Sequence, residues 1–270
     1  MPKMNKVFIT VLFLLLSMEM GFAQADPQQI IVPISRPNEP ITLDISILSA
    51  HIEVIGEERK DAEFNVSVTK GGKKIITPSG TKVVAGGSYA LDIEEHDNHI
   101  SVDTDWGPTR VKIVARIPQE ANLELSTTND GVIVVDNVNG NLQLANVNGP
   151  ITGTNLSGSV IAESVNEDIN LDFQAFAADD TMSLTSVNGD LSIALPDRAK
   201  AQLRIDTARG EIYSDFEVEV EPSSPVVQRN QGQSTFEVRV ENVIVANVNG
   251  GGGVVKLKTL NGDIQVRKSN

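Results

Sequence analysis

The chain has 270 residues, with 22 basic against 36 acidic side chains for a formal charge of −14, 40% hydrophobic and only 4% aromatic residues, and no cysteine. The charge argues against nucleic acid as a partner, and the missing cysteines remove thiol nucleophiles, thiolate metal sites, disulfides and a lipid-attachment thiol. A core of Val, Ile and Leu with few rings suits repeated β layers better than a deep, aromatic-walled pocket.

Lys3 and Lys6 precede an apolar run from Val7 to Leu16 and a small-residue site, Ala23-Gln24-Ala25. The pattern predicts an export signal over residues 1–25, cleaved before Asp26. The run is short of the roughly 20 apolar residues that span a bilayer. Its removal takes away Lys3, Lys6 and Glu19, which turns the charge of −14 into −15. The expected product is exported, periplasmic or secreted, with no transmembrane segment after cleavage.

From residue 26 to 118 the text alternates apolar and polar: Leu43, Ile45, Ile47; Ile52, Val54; Phe64, Val66, Val68; Leu91, Ile93; Ile100, Val102; Val111, Ile113. Period two marks half-buried strands. Residues 69–110, with Gly-rich and His/Asp-rich text, depart from this rhythm and are expected to form a hairpin insertion or cap. Pro118 marks a change in regularity within one elongated body, so residues 26–118 are read as continuous with residues 119–270. The best helical candidate, Gln174 to Asp180, is a turn or two at most.

Beyond Pro118 the chain repeats itself. Gly131, Gly140, Gly149 and Gly158 stand nine residues apart, and Glu167 takes the next place. The phrase Ala145-Asn146-Val147-Asn148-Gly149 returns as Asp136 to Gly140 with Asn139, as Glu163 to Glu167, as Ser186-Val187-Asn188-Gly189-Asp190-Leu191, as Thr207-Ala208-Arg209-Gly210-Glu211-Ile212 and as Thr259-Leu260-Asn261-Gly262-Asp263-Ile264. Asn-Gly bends a chain sharply, and each unit is too small to bury its own face, so stacking must supply the stability. The expectation is an all-β solenoid whose coils hold two nine-residue units, with Asn139, Gly140, Asn148, Gly149, Asn188, Gly189, Gly210, Asn261 and Gly262 at structural turns. Stacked coils would align Asn139, Asn148 and Asn188 into amide ladders and hold Gly140, Gly149 and Gly189 at positive φ. Gly250 to Gly253 reads as a loose turn, and Gln228 to Ser234 as a surface loop between strands. Asn-Gly is also a hairpin signal, so an antiparallel meander or barrel stays open as the alternative.

The run Leu184 to Pro196, with Ala199 to Leu203 and Thr207 to Ile212, resembles the adhesin-like DUF4097 family and the related head-GIN adhesins. The resemblance spans about residues 41–268 and is closest over 121–216. It implies a β-helix of exported or envelope proteins, some of them linked to envelope-stress sensing, and it carries no catalytic residues.

Candidate chemistry is sparse. His96-Asp97-Asn98-His99, joined by Asp92, Glu94 and Glu95, is the one dense set of metal-ligand types, and an exposed polar hairpin explains it better than a metal site. Asp103 with Asp105, Asp179 with Asp180, and Glu217, Glu219 and Glu221 are the carboxylates that could act on a glycan. The last three alternate with Phe216, Val218 and Val220, as on the solvent side of an amphipathic strand, and cleft-lining aromatics are nearly absent. No esterase elbow, phosphate loop or metalloprotease motif is present. No cofactor or metal is expected. The sequence is read as a non-enzymatic, adhesin-like scaffold or binding protein of the envelope, its partner an unidentified protein, peptide or glycan. The alternatives are a stress sensor that binds cationic peptides and a polysaccharide-acting enzyme on a β-helix.

Overall fold

The computed structural model describes residues 28–69, 91–104, 110–129, 131–221, 226–231, 236–241 and 243–269. The expected export signal, most of the 69–110 departure, Asp105 and the prolines at 222 and 225 lie outside them. In chain order the strands are β1 (Gln28–Pro33), β2 (Ile41–Ile47), β3 (Ala50–Glu57), β4 (Asp61–Thr69), β5 (Leu91–His96), β6 (His99–Thr104), β7 (Arg110–Pro118) and β8 (Ala121–Thr127). There follow β9 (Val132–Asp136), β10 (Leu142–Asn146), β11 (Ile151–Leu156), β12 (Val160–Ser164), β13 (Ile169–Phe173), β14 (Thr181–Thr185), β15 (Leu191–Leu195) and β16 (Ala201–Arg209). The last are β17 (Ile212–Ser214), β18 (Val218–Val220), β19 (Val226–Gln231), β20 (Phe236–Glu241), β21 (Ile244–Val248), β22 (Gly253–Asn261) and β23 (Ile264–Lys268).

Two sheets, of ten and eleven strands, face each other, and successive coils contribute one strand to each. Stacked strands run parallel and in register, as in β8, β10, β12 and β14. The fold is therefore a parallel β-solenoid, and the meander or barrel is excluded. Alternation puts every second residue inside: Ile41, Leu43, Leu123, Leu125, Ile133, Ile151, Ile169, Leu191 and Ile264 are each at most 1% exposed. Among the described residues Phe64 and Phe173 are the largest fully buried side chains, and aliphatic layers fill the rest of the core. Gln174 to Asp180 is loop, and Gln228 to Gln231 belong to β19, which pairs antiparallel with β20.

Space order departs from chain order at both ends. β6 and β7 stack outside β2 and β3, while β8 and β9 take the inner side. At the far end β22 lies between β14 and β16, and β23 between β15 and β17, so the final coil fills a place inside the stack. Antiparallel strands cover the ends: β4 on β7 and β5 on β6 at one, β21 on β16 and β18 on β21 at the other. Such caps occupy the unpaired edges through which sheets aggregate. Among the described residues no helix is long and apolar enough to cross a membrane.

Candidate functional site

The repeated phrase builds one corner of the solenoid, where each coil passes from the eleven-stranded to the ten-stranded sheet. Asn148, Asn188, Asn261 and Gly149, Gly189, Gly210, Gly262 lie there, while Asn139 and Gly140 lie at the opposite corner. Nine-residue units alternate between the two corners, so Asn139 joins no ladder with Asn148 and instead donates to Glu120 Oε1 (2.8 Å). The ladder that does form runs through Asn166, which donates to Asn148 Oδ1 (2.7 Å). Asn188 continues it to Asn166 Oδ1 (3.0 Å) and Asn261 to Asn188 Oδ1 (2.8 Å).

Two further ladders share this corner. The amide of Asp190 donates to Asp168 Oδ1, that of Asp263 to Asp190 Oδ1 and that of Glu211 to Asp263 Oδ1, at 2.8, 2.8 and 2.9 Å. Inside, Asn146 Nδ2 donates to the carbonyl of Gly131 (3.1 Å), Thr259 Oγ1 to that of Gly189 (3.0 Å) and Thr207 Oγ1 to that of Gly262 (3.1 Å). These carbonyls are the ones on which the next coil's glycine rests: a Cβ at Gly149, Gly262 or Gly210 would overlap the oxygen of Gly131, Gly189 or Gly262. None of Gly140, Gly149 and Gly189 has the expected positive φ. Close approach of the neighbouring backbone, not a left-handed bend, demands glycine here. Gly252, expected to lie in a loose turn, sits against the carbonyl of Lys200 in the same way. Where Glu167 replaces glycine the turn differs: Ser164 Oγ donates to the carbonyl of its own Glu167 (2.7 Å).

The His/Asp-rich segment is a hairpin. β5 and β6 pair with His96 opposite His99, and Asp97 and Asn98 form the two-residue turn at φ of 58° and 68°. Positive φ at both positions is the type I′ geometry that Asx residues tolerate. Asn98 is buried and ties down the preceding loop, accepting from the Arg36 amide (2.7 Å) and donating to its carbonyl (2.9 Å). The amide of Asn98, with Ser35, holds Glu95 below the usual carboxylate range. Among the described residues no group of three or more His, Asp or Glu is arranged to hold a metal ion.

Among the described residues, the carboxylates singled out in the sequence lie on separate elements rather than around one cleft. Asp180 caps its own turn through the Ala177 amide (2.6 Å), and Glu221 accepts from Asn247 (2.8 Å). Val218 and Val220, expected on a buried side, are 36% and 63% exposed, and only Phe216 turns inward.

What sequence reasoning missed is a shallow hollow of about 380 Å³ on the outer face of the eleven-stranded sheet, lined by Asp44, Ser46, Glu124, Gln143, Ile161 and Glu163 among others. Parallel register sets Asp44, Glu124, Gln143, Ile161, Ser183, Lys256 and Arg204 in one row across β2, β8, β10, β12, β14, β22 and β16. Outward positions of alternating strands were the available signal, but only the strand order makes them a row. Burial first, then the charges of Glu124 and Asp103, raise the Asp44 pKa against the opposing pull of His99. A carboxyl with a folded pKa above its unfolded one supplies stability only at low pH and loses it as pH rises through the folded value. Asp44→Asn is therefore expected to raise the melting temperature at pH 7, with the gain fading as pH falls into the aspartate range near about 3.9; melts from pH 3 to 8 test this, and a gain that grows on acidification contradicts it.

A family description, Toastrack DUF4097, matches residues 118–267. Among solved structures, a "putative cell adhesion protein" from Clostridium sporogenes ATCC 15579 is similar at 11% identity, over 90% of this chain and 100% of its own, with a TM-score of 0.51. A "putative adhesin" from Bacteroides fragilis NCTC 9343 is 11% identical over 90% and 97%, with a TM-score of 0.37. A comparison with curated proteins finds no match. The first likeness shows a shared fold.

Proposed function

The chain belongs to the Toastrack DUF4097 family, and from that premise we propose that it is an exported, non-enzymatic, adhesin-like scaffold of the cell envelope. Its recognition surface is the outer face of the eleven-stranded sheet. The observation that carries this reading is the hollow across β2, β8, β10 and β12, open, lined by polar and apolar groups alike and set on an in-register lattice. A shallow, mixed surface on a long sheet suits holding an extended partner rather than enclosing a reacting group. The leader-like residues 1–25 support export, and the name borne by the protein of shared fold agrees with adhesion.

Purified residues 26–270, immobilised and challenged with isolated envelope fragments, should retain them without releasing reducing ends or unsaturated sugars. Catalytic release of either product, or retention no greater than on an unrelated β-solenoid, contradicts the proposal. A second reading, capture of cationic peptides, is favoured by the acidic half of the same face around Asp44 and Glu124. Exposed charges are screened within about 8 Å at physiological salt, so that mode requires binding to fall steeply as salt is raised.

A further inference from the structure

Resting on that assignment of the face, we propose that its partner is a second copy of this chain, bound across a two-fold axis parallel to the strands and passing through Ile161. The outer face is divided by charge along its length. Asp44 and Glu124 lie on one side of the middle strand, Lys256 and Arg204 on the other. β12 is the central strand of the eleven, with β2 and β16 each three strands away. Rotation about an axis along β12 places Asp44 opposite Arg204 of the copy, Glu124 opposite Lys256, Gln143 opposite Ser183 and Ile161 opposite itself. The row is thus complementary to its own reversal, the condition for an isologous interface.

Among the described residues the charges concerned have no ion-pair partner. Several other cations are paired within the chain: Lys258 with Asp206 (2.8 Å), Lys268 with Asp197 (2.7 Å), Lys112 with Glu53 (3.2 Å) and Arg59 with Asp61 (2.8 Å). Among the described residues neither Lys256 nor Arg204 has a carboxylate partner; Arg204 bonds Gln202 alone (3.3 Å). On the other half, Asp44 stands beside Glu124 in the row and has no Lys or Arg partner among the described residues; burial first and then the Glu124 charge raise its pKa against the weaker pull of His99. Ile161, 49% exposed, gives the centre an apolar contact. Six strand spacings of about 4.8 Å make a row of about 29 Å, enough for a small, reversible interface. Glu163 also lies on the axis, two residues along β12, and meets its own copy, so it opposes the association that the row favours.

The absence of cysteine makes the test clean. Aligned sheets pack about 10 Å apart, too far for a disulfide but within reach of a short bis-maleimide. Ile161→Cys should cross-link to dimer at least five-fold faster than Thr152→Cys on the opposite sheet. Adding Arg204→Glu should bring it down to the control rate, and Asp44→Arg with Arg204→Glu in one chain should restore it. Glu163→Gln should raise the rate several-fold. Thermal melts confirm that each variant is folded. Equal rates at positions 161 and 152, or a rate at 161 indifferent to Arg204→Glu, overturn the inference. If 161 does not cross-link while Glu124→Lys still abolishes envelope capture, the recognition face stands and self-recognition alone falls.

Discussion

Gly149→Ala is expected to lower the melting temperature by about 6–12 °C. The added methyl overlaps the carbonyl oxygen of Gly131 in the coil beneath, and that oxygen is fixed by the hydrogen bond from Asn146. Relief requires the two coils to part at the corner, which loosens the amide ladder and the interior layer together. Overpacking of a close-packed site costs about 3 kcal/mol at the upper end of its usual range, and each kcal/mol shifts a chain of this size by about 2–4 °C. Gly250→Ala is the matched control. Gly250 has φ of +85° but nothing within 4 Å of a new Cβ, so only conformational strain of about 1 kcal/mol is expected. Gly252→Ala should resemble Gly149→Ala, because it meets the Lys200 carbonyl. Equal small shifts at positions 149 and 250 would show that the corner glycines are not held by the neighbouring coil.

The contrast also explains what the sequence could disclose. Alternation at Leu43-Ile45-Ile47 and Leu123-Leu125 reveals strands, because burial on one face requires period two. The recurring Asn-Gly reveals a corner, and two nine-residue units reveal a coil. The order of the coils is hidden, since the same ladder chemistry recurs at successive interfaces. Asn261 donates to Asn188 with the geometry by which Asn188 donates to Asn166. Nothing local therefore tells that the phrase at Thr259 to Ile264 is inserted between those at Ser186 and Thr207. Asn139 misleads for a related reason, because constant spacing conceals the alternation of corners. The reason for glycine was hidden too: it lies in a carbonyl of another coil, whereas a single phrase suggests a turn angle.

The candidate face was illegible for the same cause. Asp44 and Arg204 are 160 positions apart in the chain, and only the insertion of β22 completes the row that joins them. His96 to His99, by contrast, was readable as a hairpin, because a two-residue Asx turn is decided by its own backbone.

The most direct test of the functional account is envelope capture by residues 26–270 and by two charge variants. Glu124→Lys with Gln143→Lys alters the row on the eleven-stranded sheet, and Thr152→Lys with Asn170→Lys alters the outer face of the ten-stranded sheet by the same number of lysines at in-register positions. All four positions are on outer faces, so the melting temperatures should stay within a few degrees of one another. Capture should fall at least ten-fold for the first variant and less than two-fold for the second. Equal loss in both, or full capture by the first, would contradict the assignment of the recognition face.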